Sequence, residues 1–255
     1  MLKFLLVNLV AVLIYMTVWF LVARKRHRLD TVDTAWGGGF VLMAWLIVLQ
    51  HSAAATLTIA ILVTIWGGRL AWHLTGRSNK RGKEDPRYLE LSKKWKNNFW
   101  LRAYLSIFLT QGLLIWIVGL PIEYAAGNTP YASYGYVVIG ALVWVAGFVL
   151  EAIADHQLSA FIANPNNKGK VLDTGLWRYS RHPNYFGELT QWWGIGIIAL
   201  HASFGWIGLL GPATLGFLII FVSGIPPIER RRADNPAYQA YKKRTSPLIP
   251  LPPKS

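Results

Sequence analysis

Seven stretches of this chain, at about 4–23, 35–50, 53–72, 102–121, 133–153, 187–202 and 204–224, are apolar over windows of roughly 20 residues, the length of helix that crosses a bilayer. That blocking of apolar residues predicts an all-α integral membrane protein with seven transmembrane helices, read as a single membrane domain over 1–255. Composition agrees: 53% of residues are hydrophobic, 15% are charged and 13 are Trp, a balance far from that of a soluble domain.

Orientation follows from the basic residues. Alternate loops hold 4 Lys or Arg at 24–28, 10 at 69–102, 4 at 168–181 and 7 at 230–254, which leaves only Lys3 of the 26 on the other side. The connections at 50–53, 122–132 and 201–204 carry none. The positive-inside bias then predicts an N-terminus outside and a C-terminus in the cytoplasm, in a bacterial inner membrane. Arg24 to Arg28 follow the first span as a stop-transfer flank, so that span is not read as a removable signal. The net charge of +14 is spread over every inside loop, which speaks against nucleic acid and for anionic lipid headgroups or a phosphate-bearing ligand. With no Cys, disulfides, thiolate catalysis and Cys-ligated metals are excluded.

The densest polar run lies at the mouth of the sixth span: Gly175-Leu-Trp-Arg-Tyr-Ser-Arg-His-Pro-Asn-Tyr-Phe-Gly-Glu188. Glu188 is followed almost at once by Gln191-Trp-Trp-Gly-Ile-Gly-Ile-Ile-Ala-Leu200. There an unpaired ion costs about 2.5 kcal/mol or more, so Glu188 requires partners or a ligand. Pro183 suits a first helical turn, with Asn184, Tyr185 and Glu188 following on that helix. Upstream, Asn164-Pro-Asn-Asn-Lys-Gly-Lys170 is turn chemistry and predicts a loop. Glu151 and Asp155 are four apart at the inner end of the fifth span and share a helix face, beside His156. They either pair with Arg178, Arg181 or other loop cations, or hold a polar ligand between the fifth and sixth helices.

Other polar residues carry weaker signals. Asp30 and Asp33 precede Trp36 at the second span; Arg69 and His73 close the third, near Trp66 and Trp72. Arg69 can snorkel to the interface and Asp30 can pair with the Arg24 to Arg28 cluster, whereas Asp33 stands closer to the apolar stretch and can exchange a proton with a lipid-soluble substrate. Gly37 to Gly39 and Gly67 to Gly68 match no nucleotide loop and predict close helix contact. The six His show neither HExxH nor a short paired spacing, so no metal is expected. The aromatic residues in Lys93-Lys-Trp-Lys96 and Trp177-Arg-Tyr179 serve equally well as interface anchors. The chain's end, with Glu229-Arg-Arg-Arg232, Tyr238-x-x-Tyr241 and Pro247-Leu-Ile-Pro250, mixes a carboxylate, cations and tyrosines beyond what topology needs. It predicts a lid returning to the site.

As an ensemble, Glu151 to Asp155, the 175–188 run and the Tyr-x-x-Tyr then Leu-Ile-Pro ending resemble the membrane family that contains the steroid 5-alpha-reductases and bacterial proteins of unknown function grouped with their C-terminal domain. The resemblance covers mainly Gly147 to Pro250. It implies a seven-helix fold that buries NADPH from the cytoplasmic side, with Asp155, Asn184 and Glu188 at positions that contact the cofactor. It also implies hydride transfer to a carbon–carbon double bond conjugated to a carbonyl, in a steroid-like or other lipid enone. On that reading Arg178, Arg181, His182 and Tyr185 also hold the cofactor, and Glu229, Arg230, Tyr238 and Tyr241 complete its cover. A cation from the Arg77 to Arg87 loop or from Lys168 to Lys170 meets the 2′-phosphate. The reductases carry a Gln-Glu pair in the second span and a Tyr in the third; this chain departs from both, and Asp33 and Arg69 are the residues expected at the substrate end.

A second family, the isoprenylcysteine carboxyl methyltransferases and related phospholipid methyltransferases, shares the Arg-His-Pro-x-Tyr-x-Gly signature and binds S-adenosylmethionine. There Arg181, His182, Tyr185, Glu229 and Arg230 would hold the methyl donor. Span number and the Asn184–Glu188 pair favour the reductase. A non-enzymatic carrier predicts charges at several mid-helix positions and repeated halves, and the sequence shows neither. The chain reads as an NADPH-dependent oxidoreductase acting on a lipid-soluble molecule.

Overall fold

A computed structural model describes residues 1–254 except Lys94, Lys96 and 128–133, and except the side chains of Arg77 and Lys80. Part of the expected 93–96 anchor, part of the 122–132 connection and the side chain of Arg77 therefore lie outside the described residues. The helices are α1 (Leu2–Arg26), α2 (Thr31–Gln50), α3 (Ala54–Arg81), α4 (Pro86–Ser92), α5 (Phe99–Ala103), α6 (Thr110–Val118), α7 (Leu120–Tyr124), α8 (Tyr134–Ala163), α9 (Pro183–Ala199), α10 (Leu210–Phe217), α11 (Ile225–Arg231) and α12 (Pro236–Arg244). A π-helical segment, Tyr104–Leu109, joins α5 to α6, and another, Leu218–Val222, follows α10. Among the described residues there is no strand beyond a bridge between Ser180 and Ser246.

Six helical stretches are long and apolar enough to cross a membrane: Leu2–Arg26, Thr31–Gln50, Ala54–Gly76, Phe99–Val118, Tyr134–Ala163 and Gly205–Arg231. Helices satisfy their backbone amides internally, which is what hydrocarbon demands. The chain is an all-helical integral membrane protein. The stretch expected to span at 187–202 is α9, which has 17 residues, carries Glu188 and Gln191, and is not one of the six. Two boundaries also differ. α2 begins at Thr31, so Asp33 lies in its first turn. The third helix runs on to Arg81 because no proline interrupts it before Gly82, whose φ of 65° ends it, and Pro86 then starts α4 behind the Asp85 cap. The expected Arg77 to Arg87 loop is thus mostly helix.

The chain divides into two compact units, Met1–Val137 with Ile198–Gly211, and Val138–Ile197 with Pro212–Ser255. In the first, α1 is apolar all round yet two-faced: Asn8, Val12, Met16 and Ala23 are buried, while Leu6, Val10, Ile14, Val18 and Leu21 form an exposed stripe suited to lipid. α2 and α3 meet at Gly37 and Gly67, where a Cβ on Gly37 would stand 3.0 Å from the Gly67 carbonyl oxygen. The close contact expected of these glycines is present. Asn8 Nδ2 donates to Glu123 Oε1 at 2.6 Å and ties α1 to α7.

In the second unit α8 and α9 cross through glycines seven residues apart on each helix. A Cβ on Gly187 would lie 2.6 Å from Glu151 N, and one on Gly194 would lie 2.6 Å from Gly140 O. Only bare backbones can approach this closely. The crossing sets the buried face of α8, which includes Trp144, Gly147, Glu151 and Ala154, directly on α9.

Candidate functional site

The α8–α9 crossing brings polar groups together one helical turn at a time. Gln191 Nε2 donates to Glu151 Oε2 at 2.5 Å, and both residues are buried. Further toward the helix start, Asn184 Nδ2 donates to Asp155 Oδ1 at 3.2 Å. Asn184, Glu188 and Gln191 follow at intervals of four and three, so they share one face of α9. Pro183 opens that helix as the sequence predicted. Glu151 and Asp155 meet amides here, and Arg181 turns elsewhere.

Arg181 is buried and aims at the chain's end. Its Nε and Nη2 donate to Glu229 Oε1 at 2.9 and 2.5 Å, and its Nη1 donates to the carbonyls of Lys242 and Thr245 at 3.1 and 2.6 Å. Lys242 Nζ reaches the other Glu229 oxygen at 2.6 Å. α11 supplies Glu229, and α12 begins behind Asn235, whose side chain accepts from Tyr238 N at 3.2 Å, with Pro236 in the first turn. Past α12 the chain lies along residues 179–181. Arg181 N donates to Ser246 O at 2.8 Å, Ser180 Oγ to Leu248 O at 2.7 Å and Leu251 N to Tyr179 O at 3.0 Å. Tyr241 donates to the carbonyl oxygens of Trp177 and Ser180. The returning lid is therefore a strap fastened to the 175–182 segment.

In the same unit some buried polar atoms find no hydrogen-bond partner among the described residues. They include His182 Nε2 and Asn184 Oδ1, whereas Tyr238 Oη lies at the Arg181 guanidinium. Buried polar groups are normally satisfied, so these atoms call for water or a ligand. His182 stacks on Tyr185 with ring centroids 5.6 Å apart. Burial lowers its pKa to about 4, against the opposing pull of Glu229, so the ring is neutral at physiological pH and can accept or donate one hydrogen bond. Burial likewise pushes the Tyr241 phenol up and keeps it protonated. Arg178 and Arg230 are exposed, and neither belongs to the Arg181–Glu229 pair.

The same unit holds a cavity of about 420 Å³ whose walls include Leu158, Lys168, Lys170, Trp177, Arg232 and Tyr241. Trp177 Nε1 donates to Ala154 O at 3.1 Å and fixes that wall to α8. Arg232 lies over the Tyr238 ring, 5.2 Å from its centroid. A cavity lined by cations and aromatic residues has the chemistry to take an anionic ligand.

In the first unit, Asp33 is held by two residues that sequence reasoning missed. Tyr88 Oη donates to Asp33 Oδ1 at 2.6 Å, and Arg87 Nη2 reaches Asp33 Oδ2 at 2.5 Å. α4 presents both because Asp85 caps it, accepting from Arg87 N at 2.9 Å. Burial alone would raise the Asp85 carboxyl, but the Arg87 hydrogen bonds and the charges of Arg87 and Arg81 hold it at about 2. Burial and the neighbouring Asp33 push the Tyr88 phenol well above its ordinary value. Asp30 pairs with Arg28 at 2.7 Å, in line with its expected place beside the basic cluster. Arg69 is half-buried on α3. The Asp85-Pro-Arg-Tyr88 sequence is itself a capped helix start, the signal that could have drawn attention to Tyr88.

The family described as "Protein of unknown function (DUF1295)" matches residues 19–245, and the chain belongs to it. Among curated proteins, the chain is 32% identical to 3-oxo-5-alpha-steroid 4-dehydrogenase 1 of Macaca fascicularis over 45% of this chain and 40% of that one. It is 28% identical to steroid 5-alpha-reductase DET2 of Arabidopsis thaliana over 53% of this chain and 48% of that one. It is 38% identical to probable O-methyltransferase ustE of Ustilaginoidea virens, over only 20% of this chain and 18% of that one. The chain spans less than half the length of each of these relatives. No solved structure matches it.

Proposed function

We propose that this protein is an NADPH-dependent membrane reductase of a hydrophobic enone, with seven membrane passages, a cytoplasmic C-terminus and α9 as the sixth passage in chain order. The observation that carries the reading is the α8–α9 crossing: Asn184 bonded to Asp155, Glu188 on the same face, and His182 and Asn184 each keeping a buried polar atom with no hydrogen-bond partner among the described residues. Kinship with the steroid 5-alpha-reductases supports the reaction class.

In this reading Asp155, Asn184, Glu188, His182 and Tyr185 bind and orient the nucleotide from the helices. Arg178, Arg181, Glu229, Arg230, Tyr238 and Tyr241 form or hold its cover, Arg181 chiefly by fastening the strap. Bound NADPH supplies a hydride. Reduction of an enone then needs a hydrogen-bond donor at the carbonyl oxygen and a proton for the alpha carbon. Asp33 is proposed for that end, with Arg69 near the interface. Tyr88, held as a neutral phenol, keeps a proton on its oxygen at Asp33, and a carbonyl that displaced the carboxylate would receive that hydrogen bond.

A methyltransferase that binds S-adenosylmethionine is the second reading, favoured by the short match to ustE. Mass spectrometry of the small molecules carried by the protein after mild detergent extraction separates the two. NADPH or its oxidised form supports the reductase, and S-adenosylmethionine or its demethylated product overturns it.

A further inference from the structure

The basic residues near the ends of the helices fall into two groups. Arg28 and Arg81 pair with Asp30, Arg81 and Arg87 also pair with Asp85, and Arg87 reaches Asp33. Arg181 and Lys242 share Glu229, and Arg244 pairs with Asp173. Lys168, Lys170 and Arg232 form no ion pair among the described residues, and all three face the 420 Å³ cavity, which no described acidic side chain lines. Topology accounts for lysines on this side of a membrane. It does not account for three uncompensated cations gathered on a single cavity with an aromatic wall.

The loop bearing the two lysines is built rather than loose. Asn164 Oδ1 accepts from Asn166 N at 3.0 Å, Asn167 Nδ2 donates back to Phe161 O on α8 at 3.0 Å, and Lys170 N closes a turn on Asn167 O at 3.0 Å. Gly169 sits between the lysines with φ at 81°, a left-handed backbone that glycine adopts without strain. A side chain at Gly169 would meet no neighbour within 4 Å, so it is the turn and not crowding that calls for glycine there. The turn sets Lys168 and Lys170 on either side of one residue, both against the cavity.

Position along α8 indicates which part of a nucleotide would lie here. Leu158 and Ile162, on the cavity wall, follow Asp155 by three and seven residues on the same helical face, running away from the buried Glu151 end. A hydride acceptor dissolved in the membrane is reached from the buried end, so the adenosine half belongs at the cavity. Its volume is near the lower end of the range for ligand pockets, about 300–1,000 Å³, which suits one half of a dinucleotide. Trp177 and Tyr241 offer faces for an adenine. A 2′-phosphate monoester carries about −1.5 to −2 charges at neutral pH. NADH has the same pyrophosphate but lacks that group, so cations at the pyrophosphate cannot separate the two cofactors.

We infer that Lys168 and Lys170, with Arg232 on the same cavity, form a pocket for the 2′-phosphate of the adenosine half and thereby select NADPH over NADH. This rests on the nucleotide-binding reading of the site above. The Arg81 and Arg87 guanidiniums, already engaged by carboxylates, are the poorer candidates for that phosphate.

The test is equilibrium titration of NADPH and NADH into the full-length protein in detergent, as wild type, as Lys168→Ala with Lys170→Ala, and as Arg232→Gln, each checked for unchanged helical content. The lysine double variant is expected to bind NADPH tenfold or more weakly and NADH as before, so that the preference largely disappears; Arg232→Gln is expected to move it the same way. Wild type that binds both dinucleotides equally, or a double variant whose NADPH-to-NADH ratio is unchanged, would overturn the phosphate pocket while leaving the reductase reading in place. Wild type that binds neither dinucleotide would overturn the reductase reading itself.

Discussion

Arg181 and Glu229 stand 48 residues apart in sequence and meet in a part-buried ion pair in which two guanidinium nitrogens share one carboxylate oxygen, at 2.9 and 2.5 Å. The pair is asymmetric in what its loss would leave behind. Without Arg181, Glu229 keeps Lys242; without Glu229, Arg181 remains buried against the carbonyls of Lys242 and Thr245 with its charge uncompensated there. Glu229→Ala is therefore expected to cost about 3–5 kcal/mol, the range for stranding a buried charge, and Arg181→Met distinctly less. Thermal unfolding of the detergent-solubilised variants measures the difference; equal losses would mean the strap is held by something else.

The glycine crossing makes a second expectation. Gly187→Ala places a Cβ against the Glu151 backbone, an overpacking that typically costs about 1–3 kcal/mol. Nucleotide affinity should fall with stability, because Asp155 and Asn184 are separated by the same displacement. Calorimetry and titration on one sample check both, and an unaffected affinity would detach the crossing from the site.

How much of this was readable beforehand varies by residue. Pro183, Asn184 and Glu188 were legible because helical spacing is local: a proline at a first turn and polar residues at four-residue intervals fix a face without knowledge of any neighbour. The return of the chain's end was legible too, from tyrosines and a carboxylate that membrane topology does not require. The partners were not. Glu229 meeting Arg181, Gly187 meeting Gly147 and Glu151, and Tyr88 meeting Asp33 across 55 residues depend on which helices cross, and periodicity carries no such information. The same blindness affected Arg87, whose surroundings look like an open loop in sequence and are a capped helix in the structure.

His182 gives a pH dependence with a definite sign. Its folded pKa, about 4, lies below the unfolded value near 6.5, so between those values the unfolded chain binds more protons and folding is weakened as pH falls. The stability is fully present above about pH 6.5 and declines toward pH 4, by up to about 1.4 kcal/mol per pH unit. His182→Gln should flatten that part of the profile relative to wild type. Superimposable wild-type and variant profiles from pH 7 to 4 would show that His182 is not buried neutral.

Tyr88→Phe removes the phenol proton at Asp33 and leaves the ring. Turnover is expected to fall about 10²-fold, the lower range for loss of a positioned proton donor, with NADPH affinity unchanged. Asp33→Asn should likewise impair turnover more than cofactor affinity. Stopped-assay rates alongside nucleotide titration separate the two effects; full activity in both variants would move the proton donor elsewhere.

Titration of NADPH and S-adenosylmethionine into purified wild type and Glu188→Ala reads whether a nucleotide sits on the Asn184–Glu188 face. Wild type is expected to bind NADPH at micromolar affinity or better and to ignore the methyl donor, while Glu188→Ala keeps its helical content and loses NADPH binding. Unchanged NADPH affinity in Glu188→Ala, or binding of S-adenosylmethionine alone by wild type, would contradict that placement.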